Sequence, residues 1–319
     1  MRPVIFNLFK PRGQTSYDVL RVLKKKLPPH AKLGHFGTLD PFACGVLLVG
    51  AGGAARLNDY IHQLPKTYLA VGKLGVSTAS GDCTNPILQE DHTPFLQELA
   101  TWPLAKLNTL LQEKFLGEYW QAPPMYSAAK FQGEPLHVWA KRGVPIVKPP
   151  VRRQIYQLNI IQYKFPWVCL RCQVSSGTYI RVLFMDMAKY LGTGGTLYSL
   201  LREKIGPCTH TQALRVNAAL TLEKLQTAAW APDEILQFPK VEVDEAWKNK
   251  IQHGMPLPTE VAAQFWQKNA PLAFEGPFPK YLWPCYQHQL LGLAEHQETA
   301  WANKIVWPLE GEKSDQSER

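Results

Sequence analysis

No apolar run in this sequence approaches the ~20 residues that a helix needs to cross a bilayer. The one short apolar stretch near the N-terminus, MRPVIFNLFKPRG, is broken by Asn7, Lys10 and Pro11. It makes a poor signal peptide and reads as a first strand, so the expected location is the cytoplasm, with no membrane contact. Cysteine is sparse and scattered, at six residues. Cys169 and Cys172 form a C-x-x-C, but a zinc site needs a second pair or a Cys/His partner at similar spacing, and none is present. The pair also lies in an alternating pattern whose positions i and i+3 point to opposite sheet faces, which fits two half-buried strand cysteines. No metal and no cofactor are expected. Charged residues are 19% of the chain against 45% hydrophobic, a balance that excludes wholesale disorder. Acidic residues are scarce in one part: residues 1–235 carry 27 Lys+Arg against 15 Asp+Glu, whereas 236–319 carry 8 against 11. A basic body is the electrostatic footprint of a polyanion binder.

Residues 1–10 read as a strand ending at the turn Lys10-Pro11-Arg12-Gly13. Thr15 or Ser16 then caps a helix expected through Leu27, with Val19, Leu20, Val22, Leu23 and Leu27 at helical spacing. Pro28-Pro29 stops it. A glycine-punctuated loop at 34–41 leads to a strand over 46–49 and a helix from about 53 to 62. Residues 67–75 alternate like a strand, 77–86 read as a polar loop, and 104–116 as an amphipathic helix. Residues 120–153 differ in texture: proline-rich, aromatic, and studded with Lys130, Lys141, Arg142, Lys148, Arg152 and Arg153. Too basic for a core and too apolar for a linker, they suggest an ordered insertion that meets a ligand. Strands are expected over 153–165 and 168–174, a helix over 182–191, and another helix from the turn at 192–195 toward Arg202. Beyond residue 235 a short-stranded β unit is expected, ending in a disordered tail at 311–319.

Three constellations carry chemistry. In the first, Gly34 and Gly37 flank His35 and Phe36, and Pro41 holds the preceding Asp40 out of helical geometry. A short carboxylate on such a loop, ionised at neutral pH with a reference pKa of about 3.9, suits a nucleophile or general base; it equally suits a cap, with His35 on the surface. In the second, Arg181 opens a helix, the wrong end for a cation given the helix dipole. A specific carboxylate partner is expected there, and Asp40 fits the two-pronged guanidinium. In the third, Lys66-Thr67-Tyr68 opens a strand, and Tyr68 offers an aromatic face for a base together with a hydroxyl, although a lone tyrosine is more often simply packed at a sheet edge.

Together these residues resemble the TruB family of tRNA pseudouridine-55 synthases. Lys10-Pro11-x-Gly13-x-Thr15-Ser16 is similar to that family's KPxGxTS, and the stretch from Gly34 through Asp40-Pro41 to Gly45-Val46-Leu47 to its GHxGTLDPxAxGVL. Lys66-Thr67-Tyr68 matches KxY, residues 123–130 approach PPxYSAxK, and residues 177–181 are the GTYIR element. Five elements therefore fall in family order over residues 6–206. The resemblance implies an α+β pseudouridine synthase fold: a central mixed, mostly antiparallel sheet flanked by helices, plus a small C-terminal β-rich PUA-like domain. It implies a catalytic domain over 1–235 with a thumb-like insertion at about 120–153, and an RNA-binding domain over 236–310.

By position, the resemblance makes Asp40 the nucleophile, Arg181 its partner, and Tyr68 the residue that stacks on the target base. His35, Tyr179, Leu201, Lys66 and Lys130 would bind substrate. The substrate implied is the T-arm stem-loop of tRNA, handled by a monomer, with attack at either C1′ of the sugar or C6 of the uracil. Two departures stand out: SxASGDCTN at 77–85 replaces a common TxTxDxxG although Asp82 is kept, and Glu203 stands where a second arginine is usual.

Overall fold

A computed structural model describes residues 2–91, 94–127, 129–144, 146–217, 220–269 and 279–308. The expected disordered tail at 311–319 lies outside these residues. The chain opens with β1 (Val4–Lys10), then α1 (Ser16–Lys24), β2 (Leu33–His35) and β3 (Cys44–Ala51). Thr15 caps α1 reciprocally: its hydroxyl accepts from the Asp18 N–H while the Asp18 carboxylate accepts from the Thr15 N–H. The helix stops at Lys24, one turn short of Leu27, because Pro28 disfavours helical geometry just before it.

β1 and β3 pair antiparallel and are apolar almost throughout, because both of their faces are covered. Phe6, Leu8, Leu47 and Val49 pack on Val19, Leu20 and Leu23 of α1. Ile5, Val46 and Leu48 point the other way, into a cluster with Ile61, Trp283, Ile305 and Trp307. The helix expected over 53–62 is a 3-10 segment, Gly52–Leu57, followed by the single turn α2 (Asn58–Ile61). Trp307 lies so close that a Cβ at Gly53 would fall 2.4 Å from its indole.

β4 (Lys66–Leu74) follows, then a hairpin of β5 (Val76–Thr78) and β6 (Ile87–Glu90) whose connection is the region read as polar loop. α3 (Pro94–Thr101) and α4 (Leu104–Phe115) lead to β7 (Gly117–Gln121). The insertion holds the two-residue strands β8 (Lys130–Phe131) and β9 (Glu134–Pro135) and the short α5 (Leu136–Lys141). β10 (Val151–Lys164) and β11 (Trp167–Val174) then pair, and α6 (Ile180–Tyr190) leads to β12 (Gly195–Ile205). In the main sheet the order runs from strand Leu214–Arg215 through β1, β3, β12, β4, β11, β10 to β7. Neighbours on this path are antiparallel except at β1 with Leu214–Arg215 and at β3 with β12. α4 and α6 cover one face, burying Leu107, Leu111, Leu183, Phe184 and Met187 against β4, β10, β11 and β12.

The helix expected toward Arg202 is β12, a strand at the centre of the sheet. Its leucine-rich run favours helix by intrinsic propensity, but pairing with β3 and β4 and burial on both faces override that. Bulges between Leu197 and Ser199 and between Arg202 and Lys204 also break the two-residue alternation that would have marked it. Beyond it a small β domain forms its own sheet, ordered Lys240–Glu242, Tyr281–Tyr286, Gly292–Gln297, Ala300–Val306 and Leu257–Pro258. The overall class is α+β with a mixed, mostly antiparallel sheet, as the resemblance implied. Among the described residues no helix is long and apolar enough to cross a membrane.

Candidate active site

The loop carrying Asp40 joins β2 to β3 and is held from several sides. Ser16 of α1 accepts from the Leu39 N–H at 3.0 Å, and the Gly13 N–H donates to the Pro41 carbonyl at 2.7 Å. Lys10, fully buried, donates from Nζ to the Gln14 carbonyl at 2.6 Å and reaches that of Pro41 at 3.5 Å; burial pushes its pKa down to about 8. Arg202, inward-facing on β12, donates to the carbonyls of Val46 (2.7 Å), Gly37 (3.1 Å) and Thr38 (3.2 Å). β3 approaches β12 so closely that a Cβ at Gly45 would meet the Arg202 carbonyl at 2.3 Å, and Gly45 has a φ of +114°. Only glycine meets both demands.

Asp40 emerges from this frame with its side chain 34% exposed, facing Arg181, which is 3% exposed. Arg181 Nε donates to Asp40 Oδ2 at 2.8 Å and Nη2 to Oδ1 at 3.4 Å, the fork expected of a guanidinium on a carboxylate. The remaining donors reach the carbonyls of Ser80 and Tyr126, and the Asp82 carboxylate stands 3.6 Å from Nε. Asp82 is itself held by the Ser80 hydroxyl at 2.9 Å and the Thr84 N–H at 3.0 Å. Two carboxylates thus offset a cation placed in the first turn of α6, where the helix dipole opposes it. One side chain thereby ties together the Asp40 loop, the β5–β6 connection, the insertion and α6.

Asp40 borders a cavity of about 210 Å³ that is also lined by Tyr68, Lys66, Tyr179, Ile180, Leu200 and Arg202. That volume is below the ~300–1,000 Å³ of pockets for drug-sized ligands, and suits a group the size of a single base or sugar. Tyr68, on β4, presents its ring to the cavity while burial raises the phenol's pKa against the opposing charge of Arg202. It therefore stays a neutral phenol at physiological pH. Lys66, 4% exposed, donates to the carbonyls of His62 and Leu64, and burial pushes its pKa down to about 7. Tyr179 is fixed through its backbone, whose N–H donates to Gln121 Oε1 at 2.7 Å and whose carbonyl accepts from Nε2 at 3.0 Å.

Among the residues singled out from sequence, the cavity gathers Asp40, Tyr68, Lys66 and Tyr179, with Arg181 behind Asp40. Three others lie elsewhere. Leu201 is turned away by strand alternation and packs toward Gly45, so Leu200 lines the wall in its place. His35 is on β2, paired with Val49 of β3 and outside the cavity lining; burial and then the charge of Arg202 lower its pKa. Lys130 is exposed on β8. Glu203 pairs with Arg171 at 2.8 Å. Cys169 and Cys172 are both on β11, half-buried and buried respectively. Asp82 was noted only as a kept motif residue, without a partner, and Arg202, Ser80 and the Tyr126 carbonyl were missed. Arg202 lay in a segment read as helix, and backbone acceptors leave no sequence signal.

The family described as TruB family pseudouridylate synthase (N terminal domain) matches residues 22–180. A tRNA pseudouridine synthase B of Thermotoga maritima is 35% identical over 266 residues, covering 83% of each chain. The enzyme of that name from Ralstonia pickettii is 35% identical over 268 residues, covering 80% of each. Among solved structures, an H/ACA RNP bound to a substrate RNA containing 2′-deoxyuridine aligns with a TM-score of 0.65 at 20% identity, over 97% of this chain and 86% of that one. A Cbf5-Nop10-Gar1 complex aligns equally well, with a TM-score of 0.65 at 21% identity, over 95% and 84%. At these identities the two structures establish likeness of fold.

Proposed function

The chain belongs to the TruB family of pseudouridylate synthases, and from that premise we propose that it converts uridine 55 in the T loop of tRNA to pseudouridine, with Asp40 as nucleophile. The observation that carries this reading is the Asp40–Arg181 pair at the edge of a base-sized cavity.

The reaction breaks the N1–C1′ bond, turns the uracil and joins C5 to C1′; C5 loses its proton and N1 gains one, so the net change is an isomerisation. The target must first leave its stack, at a cost of a few kcal/mol. Tyr68 then offers a stacking face worth ~1–3 kcal/mol, by analogy with base–aromatic contacts in general. As a neutral phenol it stacks and donates. Asp40 attacks C1′ or C6, aimed by a guanidinium that is itself immobilised by Ser80 and Tyr126. Lys66 and Tyr179 would border the bound nucleotide, and His35 would act from behind the loop. No metal or cofactor is assigned to the reaction, since the isomerisation is redox-neutral and a carboxylate supplies covalent catalysis alone.

Residues 1–235 would form the catalytic domain, residues 120–153 a thumb over the T-arm stem-loop, and residues 236–310 a PUA-like RNA-binding domain. A cytoplasmic monomer is the proposed working form. Asp40→Asn tests the core of this reading. It should abolish pseudouridine formation in a tritium-release assay on labelled tRNA while leaving tRNA affinity nearly unchanged. Turnover near that of the wild type would refute the nucleophile.

A further inference from the structure

Near the cavity, a cationic side chain has no hydrogen-bond or ion-pair partner among the described residues. Arg153 of β10 lays its guanidinium against the backbone of Gly177, where an added Cβ would stand 3.1 Å from both Cζ and Nη2. Gly177 has a φ of +74°, so the turn itself favours glycine. Among the described residues the Arg153 side chain makes no hydrogen bond or ion pair, and its Nε is shut away from water without a partner. The adjacent Arg152 pairs with Glu118 at 2.7 Å, so unpaired charge is not a general property of this strand.

Beside it, a His62 ring nitrogen lies 2.7 Å from the hydroxyl of Ser176, the residue before Gly177. His62 and Gly177 both line the cavity, as does Lys66, whose ammonium holds the His62 carbonyl. Burial lowers the His62 pKa, and the charges of Lys66, Arg153 and Arg202 push it the same way against Asp59 alone. Among the described residues no carboxylate forms an ion pair with any of those three cations. A half-buried guanidinium without hydrogen-bond partners is costly, and an incoming anion relieves that cost.

We propose that Arg153, His62 and Ser176, set around the turn at Gly177, form a phosphodiester subsite that takes a phosphate adjoining the flipped-out uridine. This rests on the reading that the cavity receives a uridine of RNA. A nucleotide rotated out of its stack keeps both adjoining phosphates at the entrance. A planar guanidinium suits two oxygens of one phosphate, and the hydroxyl and imidazole supply shorter-range donors.

The test uses the full-length protein and a T-arm hairpin RNA with a neutral methylphosphonate at either the 5′ or the 3′ side of the target uridine. In wild-type protein, neutralising one of these positions should weaken equilibrium binding about tenfold, the equivalent of ~1.4 kcal/mol. Arg153→Gln should weaken binding of the unmodified hairpin by a similar factor and should not respond further to that methylphosphonate. Its slope of log affinity against log salt should also fall by about one. His62→Ala, at an exposed position away from β10, provides a second variant with the same expected non-additivity if Arg153→Gln does not fold. Fully multiplicative losses at both phosphate positions overturn the subsite. Pseudouridine formation on the unmodified hairpin is scored in the same preparation. No product with intact coupling removes the reaction and leaves the subsite, whereas product without coupling does the reverse.

Discussion

The Asp40 loop and the insertion at 120–153 face the same cleft and are built in opposite ways. The loop is short, tied through Lys10, Gly13, Ser16 and Arg202, and backed by Arg181. The insertion offers two-residue strands, a six-residue helix and exposed groups such as Val147, which is 92% exposed. Its internal ion pair, Arg142 with Glu134, is in solvent, where such pairs contribute little. The contrast teaches that this chain concentrates fixed geometry around the Asp40–Arg181 pair and leaves the insertion with little to hold it; under the proposed function, the first is where a bond is attacked and the second where RNA is grasped.

That contrast can be broken most decisively at Arg202. Arg202→Met removes a fully buried cation and leaves three carbonyls without their donor, so unfolding free energy should fall by ~3–5 kcal/mol in urea titration. A loss below ~1 kcal/mol would mean that the loop is held by its other ties, to Lys10, Gly13 and Ser16. Lys66 sharpens the comparison through pH. Burial holds its folded pKa near 7 while the unfolded value is 10.5. Between those values the unfolded chain binds a proton that the folded chain has released, so this group adds stability as pH rises through the window. The melting temperature of wild type relative to Lys66→Gln should therefore climb by several degrees from pH 7 to 10; a constant difference would show that the ammonium is not desolvated. The smallest effect is expected in the insertion. Lys130→Ala should leave the melting temperature unchanged, weaken RNA binding severalfold and reduce the salt slope by about one. An unchanged slope in filter binding removes Lys130 from the phosphate contacts.

What could be foreseen from sequence divides along the same line. The pairing of Asp40 with Arg181 was legible because a cation at a helix start needs an anion, and Pro41 marked the carboxylate as extended. The β10–β11 pair was legible from the regular alternation of β11, although two register shifts interrupt its pairing with β10, and α4 from its helical period. β12 was not, since two bulges erased its alternation and leucine imitates a helix. The same error hid Arg202; Leu201 was named from the resemblance, and it is its neighbour Leu200 that lines the cavity. The resemblance located Tyr68 and Tyr179, but the residues that lock Arg181 in place act through backbone carbonyls, which no side-chain pattern announces. Arg153 was visible only as one charge among many, because its isolation is a property of three-dimensional packing.

The cluster formed by Ile5, Val46 and Leu48 with Trp283, Ile305 and Trp307 binds the fate of the two sheets together. Severing the chain near residue 236 and removing the C-terminal sheet would strip the covering from one side of β1 and β3, and the Asp40 loop hangs from the start of β3. The C-terminal domain is in this sense a wall of the catalytic house as well as an annex. Heating should accordingly yield one calorimetric transition, not two, and a fragment ending before the second sheet should aggregate instead of surviving as a smaller enzyme.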